Sequence, residues 1–154
     1  MTVLNLSPIT KLTLADFEKL CAANPDLRLE MTAQGELIVI PPTGGETGNK
    51  NFAINVELGV WNRCYDKGKA FDSSTGFLLP NGAVRSPNAA WVSMERWNSL
   101  TSEERKKFLP LCPDFLLELL SPSDDWQSGL TKMQEYMDNG CRLGRKQTGS
   151  NLSS

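Results

Sequence analysis

The segment 115–120, with the sequence FLLELL, is apolar at every position except Glu118. Together with Asp114 it predicts a dense apolar β-strand that carries a carboxylate in its interior. A carboxylate in such a strand either points out of the sheet or is desolvated. Desolvation costs on the order of several kcal/mol unless a cation or a hydrogen-bond donor compensates for it. A fold that contains this strand therefore has to expose Glu118 to solvent or supply it with a cation or a hydrogen-bond donor.

Two interpretations of Glu118 stay open from the residues alone. In the first, Glu118 faces solvent near the end of the strand or pairs with an arginine such as Arg85. In the second, it ligates a divalent cation, because magnesium sites are built from oxygen ligands. Asp114 is a poor second ligand, since four residues along a strand span about 13 Å. The second ligand would have to come from another strand.

Apolar periodicity and turn residues predict an alternation of strands and helices along the chain. Helices are predicted at 13–23, 49–66, 101–108 and 126–138, and strands at 27–31, 37–40, 69–72, 76–79, 84–92 and 114–120. Thr13 is a candidate helix cap, and Thr101 and Glu104 have capping-box spacing. With 154 residues, the chain fits one domain. The prediction is an α/β domain with a mixed central sheet flanked by helices.

The composition excludes several classes of chemistry. The chain has no histidine, which removes Ser-His-Asp and Cys-His nucleophilic systems and most transition-metal sites. Its four cysteines are widely spaced without a C-x-x-C pair, so free thiols are expected rather than a zinc site. No apolar run approaches the length of a membrane span, and no secretory signal is recognisable at the start. A soluble cytoplasmic protein is expected.

Charged side chains give weaker signals. A formal net charge of -2 lacks the broad positive field of a typical nucleic-acid binder, although a basic groove or a bound cation could offset it. Lys132 lies in the helix after the apolar strand, where it could stabilise charge on a phosphate or simply pair with a nearby glutamate. Residues 105–107 (RKK) are first a solvated face and second a phosphate-contacting patch. The segment 44–48 lacks the spacing of a nucleotide-binding loop and is predicted to be a connector.

A series of motifs in fixed order makes the sequence similar to a known family. The motifs are GELIV (35–39), PPTGGETG (41–48), FDSSTGF (71–77), RSPNA (85–89), CPDFLLEL (112–119), SPSD (121–124) and DNG (138–140). On these residues the chain resembles the Uma family of bacterial proteins assigned as restriction endonucleases, within the PD-(D/E)XK nuclease superfamily. The resemblance implies a restriction-endonuclease-like domain over 12–144, preceded by an N-terminal arm (1–11).

The resemblance also implies roles for individual residues. Asn88 stands where the family has the metal-binding aspartate of Ser-Pro-Asp-Ala, and Glu118 would be the acidic ligand on the next core strand. Leu120 occupies the usual position of the catalytic lysine, and Lys132 resembles the displaced lysine proposed for this family. Glu46 is a weaker candidate for a third acidic position. The implied reaction is hydrolysis of a DNA phosphodiester with Mg²⁺, or with Mn²⁺ as a substitute.

Two departures from the family pattern bear on activity. Asn88 brings no negative charge, so metal affinity and cleavage are expected to fall strongly. After Gly144 the family continues with an apolar strand, whereas residues 145–154 hold a single apolar residue and predict a disordered tail, as in a shortened gene. Three hypotheses remain: an active endonuclease, a catalytically silent DNA-binding or interaction module, and a gene remnant without function. A homodimer is left open.

Overall fold

The computed structural model describes residues 1–148 and confirms the α/β class. Its nine strands are β1 (Thr2–Leu4), β2 (Arg28–Met31), β3 (Leu37–Ile40), β4 (Gly68–Asp72), β5 (Phe77–Leu78), β6 (Val84–Arg85), β7 (Ala89–Ser93), β8 (Phe115–Leu120) and β9 (Leu143–Thr148). Its four α-helices are α1 (Leu14–Ala23), α2 (Gly45–Tyr65), α3 (Met94–Asn98) and α4 (Trp126–Asp138). The strands form two sheets rather than the one central sheet expected from the sequence.

The first sheet has the strand order β1-β3-β2-β6-β5 and is antiparallel throughout. Helix α1 covers one of its faces by burying Phe17 against Leu29, Met31 and Val84. The helix begins where the sequence predicts, because the Thr13 hydroxyl accepts from the Asp16 N–H at 3.2 Å and the Asp16 carboxylate accepts from the Thr13 N–H. The opposite face of β2 is left to point towards the second sheet.

The second sheet has the order β4-β7-β8-β9, in which β8 and β9 are parallel and the other pairs antiparallel. Side chains alternate across β8, so Leu117 and Leu119 pack under α2 with Ile54 and Leu58. Leu116 packs on the other face in a core that includes Tyr136 of α4. The sheet is therefore covered by α2 on one side and by α4 on the other.

Helix α2 begins earlier than the sequence predicts, because Gly45 to Gly48 belong to its first turn rather than to a connector. Phe52, Val56 and Val60 lie on one face as their spacing indicates, and that face is exposed. Among residues 1–148, no helix is both long and apolar enough to cross a bilayer.

Further elements differ from the sequence prediction. The helix predicted over 101–108 is only a short 3-10 helix, Glu104–Lys106. The single strand predicted over 84–92 is divided by Ser86-Pro87-Asn88 into β6 and β7, which belong to different sheets. Part of the predicted N-terminal arm forms the edge strand β1. The predicted polar tail begins inside β9, which pairs with β8 from Leu143 to Thr148. The rest of that tail, 149–154, lies outside the described residues.

Candidate active site

A cavity of about 730 Å³ opens between the two sheets and the N-terminal ends of α2 and α4. The chain crosses from the first sheet to the second along its wall, through the segment 86–88. The charged and amide side chains on the wall include Arg28, Glu30, Glu46, Asn88, Glu118 and Lys132. Five separate parts of the sequence therefore converge on one space.

Strand β8 and helix α4 bring Glu118 and Lys132 together. Glu118 shares the face of β8 that packs against α4, and its Oε1 lies 3.0 Å from Lys132 Nζ. The same oxygen accepts a 2.8 Å hydrogen bond from the Tyr136 hydroxyl, four residues further along α4. One interpretation of the sequence had Glu118 facing solvent or pairing with Arg85. In the structure it does neither. Lys132 and Tyr136 compensate for its desolvation.

Glu30 is a second carboxylate in the site and was not singled out from the sequence. It is fully buried, and its Oε1 lies 3.2 Å from Lys132 Nζ and 2.9 Å from the N–H of Ser86. Its Oε2 lies 3.2 Å from Arg85 Nη1. The alternation of 27–31 suggested a polar position on a half-exposed strand. No signal in the sequence distinguishes Glu30 from a solvent-facing polar position, because the side chains that cover it come from distant parts of the chain.

Lys132 therefore stands between two carboxylates, and these ion pairs shift several pKa values. Burial raises the pKa of Glu30, but the charges of Lys132 and Arg85 outweigh it, so the pKa of Glu30 is lowered. Burial lowers the pKa of Lys132, but Glu118 and Glu30 outweigh it and the pKa is raised. Lys132 is therefore a fixed cation at neutral pH.

Glu135 and Tyr136 of α4 complete this charged cluster. Glu135 pairs with Arg85, with Arg85 Nε and Glu135 Oε2 2.7 Å apart. Burial and the nearby charges of Glu118 and Glu30 raise the pKa of Tyr136 well above its ordinary value, so the phenol stays protonated and donates to Glu118. The cluster joins β2, β6, β8 and α4 through charges that are largely removed from solvent.

Asn88 lies immediately before β7 and next to β8. Its Oδ1 accepts a 2.9 Å hydrogen bond from the N–H of Leu119, and its Nδ2 lies 3.4 Å from Asn51 Oδ1 in α2. Its own carbonyl accepts a 3.0 Å bond from Asn55 Nδ2. The amide oxygen thus keeps one lone pair beyond the bond to Leu119, while the other side-chain atom is a donor.

The structure brings three of the residues singled out from the sequence, Asn88, Glu118 and Lys132, to the same cavity. Glu46 lines the cavity as well, from the exposed first turn of α2. Asp114 does not belong to the site, since it is buried elsewhere and pairs with Arg96 at 3.2 Å. The patch 105–107 is also separate, with the Arg105 guanidinium stacked 4.7 Å from the Trp97 ring centroid.

The donor set is compatible with a hard cation, although it is sparse. Glu30, Glu118 and Asn88 offer two carboxylates and one amide oxygen, and Mg²⁺ is commonly held by one or two carboxylates with substrate oxygens completing the shell. No cluster of three or more His, Cys, Asp or Glu side chains suited to a metal occurs within residues 1–148.

The fold is an α/β domain of the restriction-endonuclease-like class, and a cleft lined by carboxylates and a lysine lies between its two sheets. A family model described as "Putative restriction endonuclease", Uma2, matches residues 14–144. The chain belongs to the Uma2 family.

A solved structure supports the assignment of the fold. The chain is similar to a protein from Anabaena variabilis ATCC 29413 described as a putative nuclease belonging to DUF820, with a TM-score of 0.71 and 18% sequence identity. The similarity covers 89% of this chain and 74% of that one. No curated protein matches the sequence.

Proposed function

We propose that the chain is a divalent-cation-dependent DNA endonuclease whose cleavage is strongly reduced by Asn88. The observation that carries the proposal is the meeting of Glu30, Glu118 and Asn88 with Lys132 at one cavity. Four unbridged cysteines favour a reducing compartment such as the cytoplasm. DNA as the substrate is inferred from the family.

Glu118 and Asn88 are the proposed ligands of Mg²⁺ or Mn²⁺, with Glu30 as a further oxygen donor. When bound, the cation would activate water for attack on phosphorus and neutralise charge on the leaving oxygen. Asn88 and Glu118 suit this role because both line the same cavity, and the hydrogen bond from the N–H of Leu119 holds Asn88 Oδ1 next to the residue that follows Glu118.

Lys132 supplies a positive charge rather than a base. Because the pKa of Lys132 is raised, its ammonium group stays protonated at neutral pH and cannot accept a proton from water. It can donate a hydrogen bond to a phosphate oxygen and stabilise the extra negative charge of the transition state. Glu30 and Tyr136 hold the lysine and Glu118 in place, so both groups are preorganised.

Asn88 limits the site through charge and not through shape. An amide has nearly the size of a carboxylate, and its oxygen still satisfies the N–H of Leu119. It lacks the negative charge that an aspartate would add, and it presents an N–H₂ group in place of a second oxygen. Lys132 pairs with both Glu30 and Glu118, and Arg85 pairs with Glu30, so these carboxylates attract a divalent cation less strongly than two unpaired carboxylates would.

The test is cleavage of supercoiled plasmid with Mg²⁺ and with Mn²⁺ by the wild-type chain and by Asn88→Asp. We expect Asn88→Asp to cleave the plasmid about 100-fold faster or more. Changes to the outer-shell partners of a metal alone alter activity by up to about 100-fold. Adding Glu118→Ala to Asn88→Asp should abolish the gain. Asn62→Asp is the matched control, because Asn62 Oδ1 accepts a 2.8 Å bond from Trp91 Nε1 outside the cavity.

A second candidate function is DNA binding without cleavage. Its specific support is that Lys132 already neutralises carboxylates in the cavity and Asn88 adds no further charge. Salt-sensitive DNA binding by the wild-type chain, with folded but inactive Asn88→Asp, would favour this function over endonuclease activity. Inactive variants that also fail to melt cooperatively would favour a gene remnant.

A further inference from the structure

The cavity wall carries two cationic side chains, and they differ in what they contact. Lys132 is bound to Glu30 and Glu118. Arg28 forms no ion pair within the part of the chain that the structure describes. It is the first residue of β2, two positions before Glu30, so both side chains leave the strand on the same face.

The guanidinium group of Arg28 is also poorly satisfied. Among residues 1–148, its buried Nε has no hydrogen-bond partner, and its Nη2 reaches only the carbonyl oxygen of Ser86, at a long 3.4 Å. A buried donor without an acceptor costs free energy, so an acceptor that reaches Arg28 would be bound favourably. A guanidinium group is suited to two parallel hydrogen bonds with a phosphate.

A second arginine shows why the location matters. Arg105 also has a buried Nε without a partner, but its Nη2 donates to the carbonyl of Trp97 at 3.0 Å and its guanidinium stacks on that ring. That arrangement is a packed structural arginine away from the cavity. Arg28 has neither the stacking partner nor the short bond, and it borders a space large enough for a ligand.

We propose that Arg28 is a substrate-binding residue that holds a phosphate of the DNA strand in the cavity. The inference rests on the proposed function for the identity of the substrate. Because Nε is shielded in the present arrangement, binding requires a rotation of the Arg28 side chain, which gives up only the long bond to Ser86. The phosphate bound there is distinct from the scissile phosphate, which lies beside Lys132 and Glu118.

The test is binding of a labelled DNA duplex in EDTA, where no cleavage occurs, at several salt concentrations. For Arg28→Gln we expect affinity to fall by about tenfold and the slope of log K against log salt to decrease by about one. Arg28→Lys keeps the charge but not the fork of donors, so the slope should be retained while part of the affinity is lost. Arg63→Gln, on the exposed end of α2, removes the same charge roughly 25 Å along the helix from the cavity and should leave both quantities unchanged.

Different outcomes separate this inference from the proposed function. If the wild-type chain binds DNA and Arg28→Gln binds it with the same affinity and slope, Arg28 is not a phosphate ligand, although the endonuclease proposal stands. If the wild-type chain binds no DNA at low salt, both are overturned. Circular dichroism melts of each variant exclude loss of the fold as the cause of weak binding.

Discussion

Asn88 and an aspartate at this position would both accept a hydrogen bond from the same backbone N–H. The fold here is therefore the same for either residue, and only the charge differs. The N–H of Leu119 needs an acceptor on the adjoining strand, and Asn88 Oδ1 supplies it at 2.9 Å. A carboxylate would supply the same bond and leave its second oxygen for a cation. An asparagine therefore preserves the junction of β7 and β8 while it removes one charge from the site.

Glu30 is the residue whose ionisation should matter most for stability. Its pKa is lowered from an ordinary value of 4.5, so its contribution is present above about pH 4.5 and is lost as the pH falls through the lowered pKa. We expect Glu30→Gln to reduce the free energy of unfolding by about 3 kcal/mol at pH 7, because Arg85 and Lys132 each lose a buried counter-charge. Urea unfolding from pH 3 to pH 7 measures both quantities.

The difference between wild type and Glu30→Gln should shrink as the solution is acidified. A difference that stays constant over this range would show that Glu30 acts through packing rather than through charge. Glu57→Gln, on the exposed face of α2 and without an ion pair in the described structure, is the control for removal of one negative charge. It should change stability little at any pH.

The sequence led to three site residues but not to the fourth. Glu118 could be identified because a carboxylate inside an apolar strand requires an explanation, and Lys132 because it lies in the helix that follows this strand. Asn88 followed from a family motif. Glu30 lies in an ordinary alternating strand, and its burial results from contacts with residues that are distant in the chain. The separation of 102 positions between Glu30 and Lys132 illustrates why local pattern could not reveal the pair.

At the scale of elements, β9 shows that backbone pairing can recruit a segment with few apolar side chains. Leu143 to Thr148 pair in parallel with the whole of β8, which would otherwise be an open edge. Side-chain contacts add to the pairing, since the ammonium group of Lys146 stacks on the Trp126 ring at 3.7 Å. A prediction based on hydrophobic period misses such a strand because its stability comes from its partner.

Gly144 provides a test of β9. It pairs with Leu116, and a Cβ at this position would overlap the sulfur of Met133 in α4. We expect Gly144→Ala to destabilise the chain by about 1–3 kcal/mol, because the Met133 side chain must give up its packing or β9 and α4 must move apart. Hydrogen exchange should show protected β9 amides in the wild type and faster exchange in the variant, alongside a lower melting temperature.

A glycine in open surroundings serves as the control for this substitution. No atom lies within 4 Å of a Cβ built on Gly59 of α2, so Gly59→Ala should be neutral or stabilise by up to about 1 kcal/mol through helix propensity. Equal effects of the two substitutions would mean that β9 is not packed under α4.

Other elements were predictable to the extent that their signals are local. Thr13 caps α1 as the sequence predicts, and α4 has the predicted bounds. The segment 84–92 was predicted as one strand because its apolar residues alternate. Pro87 lacks the N–H that a continuous ladder requires, and the chain uses this break to pass between sheets. The division of the strands between two sheets depends on pairing with distant segments, which the alternation of apolar residues does not determine.

At the scale of the whole molecule, the site depends on both sheets being in place. Glu30 and Arg85 come from the first sheet, Asn88 and Glu118 border the second, and Lys132 and Glu135 come from the helix that contacts both. Ion pairs in the cluster therefore report on the docking of the two sheets. A chain with a formal net charge of -2 can bind DNA at such a site only through local cations. The two proposed here are Lys132, which also pairs with Glu30 and Glu118, and Arg28.

A single candidate site per chain would also limit how the proposed endonuclease cuts DNA. The described structure offers a single constellation of Glu30, Asn88, Glu118 and Lys132, so a monomer can reach the two strands of a duplex only in separate events. At concentrations where sedimentation shows a monomer, Asn88→Asp should convert supercoiled plasmid first to open circles, and linear DNA should follow with a lag. Linear product that forms directly from supercoiled plasmid would require two cavities acting together, and hence a pair of chains on the DNA. Because dimerisation of the chain depends on its concentration, dilution of the protein should restore nicking if the dimer dissociates. For a monomeric nuclease, the ratio of open circles to linear DNA should not change on dilution.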